Sequence, residues 1–267
     1  GNSSLSAIGS VNVLINTTIG LATGLATGVN ILVSNAKGAK NPAKVKRTIE
    51  SAVIIGFILG LIIVAIFEPL ADQLLIWTNV DPLVSADAKS YFQIYLIAAP
   101  FIMTLNFVSG ILRGYGDTRS PLVILTSAGI LNVGLNFLFV IPFQLGVKGV
   151  AIATSISNAA ACIASFIYLC KSKNCYVNYS IKETKIYKSE TLEMLKLGSL
   201  AALQAVLFNI SNIIIAASVN SFGAAVTAGS TAASTIDNYV YTGMNAFSVG
   251  SMAIVSQNYG AQNQARC

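Results

Sequence analysis

Long apolar runs broken by short polar segments are the dominant pattern of this chain. Seven runs, at about 8–34, 49–78, 88–112, 121–143, 147–170, 197–220 and 224–256, are each long enough to cross roughly 30 Å of hydrocarbon, which takes about 20 helical residues. The polar breaks lie at 37–48, 79–87, 114–120, 144–146 and 171–196, with a tight turn at Phe222–Gly223. Ser120 before Pro121 predicts an N-cap and a first-turn proline opening the fourth span. A lone apolar run is compatible with a signal peptide, but seven are not. The pattern predicts an all-α, polytopic transmembrane bundle whose immediate surroundings are the lipid bilayer.

The basic residues give these crossings a direction. One set of loops holds Lys37, Lys40, Lys44, Lys46 and Arg47, then Arg113 and Arg119, then Lys171, Lys173, Lys182, Lys185, Lys188 and Lys196, and finally Arg266. The alternate loops hold Lys89 and Lys148 alone. This imbalance puts the first set in the cytoplasm and predicts an odd number of crossings in a multi-pass protein of the inner, cytoplasmic membrane.

Composition agrees and narrows the chemistry. The 267 residues are 54% hydrophobic and only 10% charged, against roughly 25% charged in soluble domains. The net charge of +6 is explained by topology and needs no nucleic-acid partner. There is no histidine, and Cys162, Cys170, Cys175 and Cys267 have no metal-ligand spacing. With no GxSxG and no Walker sequence either, an enzyme is disfavoured, no cofactor is expected, and proton chemistry falls to carboxylates.

An internal match joins the first and last spans. Ile31–Asn41 aligns with Ala253–Asn263 at a constant offset of 222, keeping Val, Ser, Gly, Ala and Asn; the pairs Gly28/Gly250 and Lys44/Arg266 extend it. If spans one and seven are equivalent, the repeat unit has six helices, and an even unit places both copies the same way up in the membrane. The expected organisation is an N-terminal lobe at 1–172, a cytoplasmic linker at 173–196 with an amphipathic lead-in at Ser189–Lys196, and the start of a C-terminal lobe at 197–267. The first copy then needs a helix before Gly1, so the chain is expected to be a fragment of a twelve-helix, two-lobe protein, with the remainder of its own chain as a partner.

Polar groups inside spans are expensive and point to function. Asp237 is the one acid near mid-span; it reads either as a proton or cation site or as a carboxylate hydrogen-bonded to neighbouring helices. Tyr239, Tyr241 and Asn245 follow it, and aromatic rings beside a carboxylate suit organic cations. Asn132 and Asn136 share one face of the fourth span, with Asn106 and Thr154 at mid-depth on the spans either side. Amide and hydroxyl oxygens of this kind suit Na⁺, or serve as glue between helices. Span six offers Gln204, Asn209 and Asn212 but no acid. Gly20, Gly24 and Gly28 form a small-residue stripe for close packing, and Glu68 with Asp72 reads as an interfacial pair.

Three segments together resemble the multidrug and toxic compound extrusion (MATE) family: Leu112-Arg-Gly-Tyr-Gly-Asp-Thr-Arg-Ser-Pro121, Gly146-Val-Lys-Gly-Val-Ala-Ile-Ala-Thr154, and Gln257-Asn-Tyr-Gly-Ala261 with Arg266. The resemblance runs from the family's second helix to its eighth. It implies two lobes around a central cavity, export of cationic or amphipathic small molecules by alternating access, and H⁺ or Na⁺ as the coupling ion. It also implies a first-lobe cation cluster at Asn106, Asn132, Asn136 and Thr154, completed by a carboxylate from the first helix. Asn136 departs from the pattern, being an amide where the family often has Asp. Two rivals are a flippase for lipid-linked sugars, which calls for Arg or Lys within the spans where none is read at mid-depth, and an inactive membrane scaffold.

Overall fold

The computed structural model describes residues 2–77, 85–171, 185–220, 222 and 224–266, and these are helical almost throughout. The helices are α1 (Asn2–Gly38), α2 (Pro42–Phe67), α3 (Ala71–Trp77), α4 (Ser85–Ile97), α5 (Ala99–Gly114), α6 (Arg119–Val140), α7 (Gly146–Lys171), α8 (Lys188–Asn220) and α9 (Ala224–Gly260), followed by a 3₁₀ turn at Gln264–Arg266. The predicted loops at 79–84 and 172–184, with Lys173 and Lys182, lie outside the described residues, as does Gly223 of the expected turn.

Two spans are broken where the pattern predicts single helices, and proline is the reason in each. α2 stops at Phe67, and α3 starts after a turn through Glu68, Pro69 and Leu70. A proline at 69 cannot donate to the Ala65 carbonyl, and its ring crowds that turn. Pro100 similarly separates α4 from α5, which meet at a 47° bend. The fourth span also begins earlier than Ser120–Pro121 predicts. α6 starts at Arg119 after Thr118, and Asp117 is the capping acceptor, taking hydrogen bonds from the Ser120 N–H at 3.0 Å and Ser120 Oγ at 2.7 Å.

The segments Leu14–Gly38, Pro42–Phe67, Arg119–Val140, Gly146–Lys171 and Lys188–Asn212 are long and apolar enough to cross a bilayer, and the bent α4–α5 pair counts as a sixth when taken as one span. The seventh predicted run, α9, is a long helix but does not reach that apolarity among the described residues. α6 shows the inverted pattern of a lipid-facing helix: Leu122, Ile130 and Phe137 are 64%, 71% and 64% exposed. The buried core lies around α1, against α2, α4, α5, α7 and the start of α8, with Leu32, Ile49, Phe92, Met103 and Phe107 wholly buried. The glycine stripe of α1 packs on α8, antiparallel to it. A Cβ on Gly24 would lie 2.3 Å from Ala202 Cα, and one on Gly28 2.1 Å from the Met194 carbonyl oxygen.

The internal match is a structural repeat. α1 closes with the Asn41 N–H bonded to the Ala36 carbonyl and Lys40 to Lys37; α9 closes with Asn263 bonded to Asn258 and Gln262 to Tyr259. Lys40 and Gln262 both take left-handed backbone, at φ 51° and 56°. These are two Schellman closures at the same offset of 222. The two ends touch reciprocally: a Cβ on Gly38 would meet the Gln257 carbonyl at 1.9 Å, and one on Gly260 would meet the Asn35 carbonyl at 2.1 Å. Residue i against j together with j against i is the signature of a local two-fold axis. It also puts the ends of α1 and α9 on one face of the membrane.

The basic loops converge on that face. Lys44 pairs with Glu193 at 2.9 Å and Arg47 with Glu190 at 3.9 Å, tying α2 to the first turns of α8. Tyr187 N–H donates to Ser51 Oγ at 2.9 Å beside them. At the opposite end Lys89 meets Asp72 at 2.6 Å and Gln93 Nε2 donates to Glu68 Oε1 at 3.0 Å, so the two acids clasp α2 and α3 to α4.

Candidate functional site

The end of α5 joins α1 to α9. Its Schellman closure, with Gly116 at φ 85°, occupies the Leu112 and Arg113 carbonyls through Asp117 and Gly116. Helix ends leave further carbonyls without intrahelical partners, and here Gly114 and Tyr115 supply them. The Gly114 oxygen accepts from Gln257 Nε2 of α9 at 2.8 Å and from Ser34 Oγ of α1 at 3.3 Å. Lys37 Nζ donates to the Tyr115 carbonyl and sits over the Tyr115 ring. A cation there also complements the negative end of the helix dipole.

Asp117 continues this corner outside the spans. Burial pushes its carboxyl up, but hydrogen bonds from the Ser120 N–H and hydroxyl, the Tyr168 hydroxyl and the Arg119 N–H outweigh that and hold it below the usual carboxylate value. Tyr168 Oη donates at 2.8 Å, linking α7 to the α5–α6 turn.

Above this closed end lies a small cleft between α1, α5 and α9, lined by Thr23, Thr27, Asn30, Asn106, Arg113, Val249 and Met252 among others. Arg113 lies in the last turn of α5, not in the following loop as the charge pattern has it. Helical side chains lean toward the N-terminus, so the guanidinium is carried back into the bundle. The Asn106 amide is also here and donates to the Ile102 carbonyl of its own helix at 2.8 Å. It does not join Asn132, because α5 turns Phe101 and Leu105 toward α6 and α7 instead.

The other three predicted polar residues do come together. Asn136 Nδ2 donates to Asn132 Oδ1 at 3.1 Å, Asn132 Nδ2 to Thr154 Oγ1 at 3.2 Å, and Thr154 Oγ1 to the Val150 carbonyl at 2.9 Å. The relay leaves Asn136 Oδ1 buried with no hydrogen-bond partner, an unusual state for a buried acceptor. The open Asn136 oxygen is free to accept from a proton-bearing group or to contact a monovalent cation.

On α8, Asn209 lies against α1, its Nδ2 3.3 Å from where a Gly20 Cβ would stand, while Gln204 and Asn212 are exposed. On α9 every described side chain from Ala233 to Ser248 is exposed, Asp237, Tyr239 and Asn245 included. Tyr241 stacks on Phe208 of α8, with centroids 6.0 Å apart and planes 9° from parallel. At 100° per residue Asp237, Tyr241 and Asn245 share the stripe that ends in Val249 and Met252 at the cleft. Tyr239 lies on the opposite face.

Sequence reasoning missed Arg113 and Asn30. The available signal was the helical register between Asn106, Gly110 and Arg113, which puts all three on one side of α5.

A membrane-spanning bundle whose α1 and α9 repeat one another and whose polar residues line the cleft between them has the form of a membrane transporter. The MatE family model matches residues 1–138 and 201–267, and the chain belongs to that family. It is 32% identical over 67% of its length to the probable multidrug resistance protein YpnP of Bacillus subtilis, covering 40% of that protein. It is 27% identical over 68% of its length to the multidrug export protein MepA of Staphylococcus aureus, again covering 40%. It thus spans about half or less of the curated relatives it matches. Among solved structures it superposes on an outward-facing multidrug resistance MATE family transporter with a TM-score of 0.88 at 23% identity, over 100% of this chain and 60% of the other. An inward-facing counterpart gives 0.76 at 22% identity, over 96% and 62%.

Proposed function

We propose that this chain is the helix 2 to helix 8 portion of a secondary exporter of amphipathic, cationic small molecules. It works by alternating access, with H⁺ or Na⁺ as coupling ion and no other cofactor, in the cytoplasmic membrane of a bacterium. The export reading draws on the family and on what the relatives' names say of them. The observation that carries the mechanism is the closed cytoplasmic end: Gly38 against Gln257, Gly260 against Asn35, and Gln257 bonded to Gly114. Farther along α9, Asp237, Tyr241 and Asn245 continue the stripe that reaches the cleft at Val249 and Met252. A bundle pinned shut at one end by its two repeated helices fits one of the two states that alternating access requires.

In this reading Asp237 and the aromatic rings receive the cationic substrate, and the Asn132–Asn136–Thr154 relay receives the coupling ion or supports the acid that does. Ion binding drives the exchange of states only through different affinities in the two. The test is ethidium accumulation in cells expressing the whole protein, with and without Asp237→Asn. Lower accumulation on expression, reversed by the substitution, is expected. Unchanged accumulation together with lipid-linked sugar transport replaces this reading with the flippase, and no transport of either favours the scaffold.

A further inference from the structure

We propose that Arg113, with the amides of Asn30 and Asn106, forms an oxyanion subsite at the floor of the cleft that takes the carboxylate of a zwitterionic substrate; this deepens the export reading and rests on it. The Arg113 guanidinium has no ion pair and no hydrogen bond to any described residue, and no carboxylate among the described residues lines the cleft. Three nearby cations are engaged, Lys37 with the Tyr115 carbonyl, Lys44 with Glu193 and Arg47 with Glu190. A half-buried charge without a counter-ion is less well solvated than a free one, so a bound anion offsets a cost that the free state carries.

The neighbouring groups are set to donate. Asn30 is buried and its oxygen accepts from Ser34 Oγ at 3.3 Å, while its amide hydrogens are not used by any described residue. Asn106 uses one amide hydrogen on the Ile102 carbonyl. The Thr23 and Thr27 hydroxyls donate to carbonyls of their own helix. What remains pointed at the cleft is a guanidinium fork and amide N–H groups, the set that recognises a carboxylate in two-pronged fashion.

Charge matching favours a carboxylate over a pyrophosphate, since a single guanidinium flanked by neutral amides balances one negative charge. The cleft is small, with room for a single carboxylate-sized group and not for a whole drug-sized molecule. The other end has a place as well. Tyr241 stands two helical turns above Val249 on the same stripe, about 12 Å along α9, where its stacked ring suits a cation.

Two dyes that share one xanthene ring system test this: rhodamine 110, with a free carboxylate, and its methyl ester rhodamine 123. Binding of each to the purified whole protein is measured by fluorescence anisotropy. The affinity ratio of rhodamine 110 to rhodamine 123 is expected to fall at least tenfold in Arg113→Gln and to recover in part in Arg113→Lys. An unchanged ratio, or equal losses for both dyes as a purely structural arginine would give, overturns the subsite and leaves the export reading intact. A second readout needs no variant: benzoate should displace rhodamine 110 from the wild-type protein several-fold better than benzamide, and equal displacement overturns the proposal. If the wild-type protein binds neither dye, the export reading fails and the subsite falls with it.

Discussion

Gly38 of α1 and Gly260 of α9 occupy equivalent places across a local two-fold, each lying on the backbone carbonyl three residues before the other, at Gln257 and Asn35. Because a methyl group at either glycine would stand about 2 Å from a carbonyl oxygen, the two helices can cross this closely only while both positions lack a Cβ. The crossing, with Gln257 reaching Gly114, closes the end of the bundle that carries the basic loops.

Gly38→Ala and Gly260→Ala are each expected to push α1 and α9 apart and to destabilise the closed end by about 1–3 kcal/mol, the usual cost of overpacking. Spin labels on the exposed residues Lys40 and Gln262 read this directly by pulsed electron resonance, as a lengthened or bimodal distance. A distance distribution unchanged from that of the unsubstituted protein would show that the crossing does not hold the end shut.

Gln257→Met keeps the volume but removes the amide that reaches the Gly114 carbonyl. Ser34 Oγ still lies 3.3 Å from that oxygen, so the expected loss is near 1 kcal/mol, not the full cost of a stranded buried acceptor. The substitution should favour the cytoplasm-open state, seen as faster alkylation of a cysteine placed at Asn30 by a reagent added from the cytoplasmic side. An unaltered alkylation rate counts against the lock.

Asn136 Oδ1 heads the relay without a partner. Asn136→Asp puts a formal charge where that oxygen lies, and the thermal midpoint of the variant should rise with Na⁺ by several degrees more than that of the unsubstituted protein. Choline at matched ionic strength is the control. Equal responses of the two proteins to Na⁺ would assign the relay to helix packing alone.

Asp117 makes stability depend on acid. Its folded-state value is depressed below the unfolded one, so its contribution is present above the unfolded carboxyl value and is lost as pH falls through the folded one. Asp117→Asn is therefore expected to cost about 1 kcal/mol near neutrality, the ordinary worth of a capping side chain. The difference should shrink below about pH 4, where an aspartate protonates in the unfolded chain. Thermal unfolding of both proteins across pH 3–7 checks this, and a difference independent of pH would place the effect elsewhere.

By itself the sequence determined what depends on transfer free energy and on short-range geometry. Apolar run lengths located the helices, the lysines and arginines gather on one face, and Pro69 and Pro100 carry the breaks in spans two and three, though the hydropathy pattern alone passes through both. The equivalence of Ile31–Asn41 with Ala253–Asn263 was legible because a helix closure needs particular backbone angles at fixed positions. Asn132 and Asn136 were legible as neighbours because residues four apart share a face, and α6 and α7, joined by a short turn, brought Thr154 to them.

Only the tertiary structure decided which face of each helix meets which partner. Asn106 lies between two candidate neighbourhoods, and the larger apolar surface of Phe101 and Leu105 assigns the opposite side of α5 to α6 and α7. Arg113 reads as a loop residue because its Cα stands near the end of α5. A long side chain leaning back along its helix reaches several ångströms from that Cα, so the cleft it enters is defined by α1 and α9, helices distant in sequence.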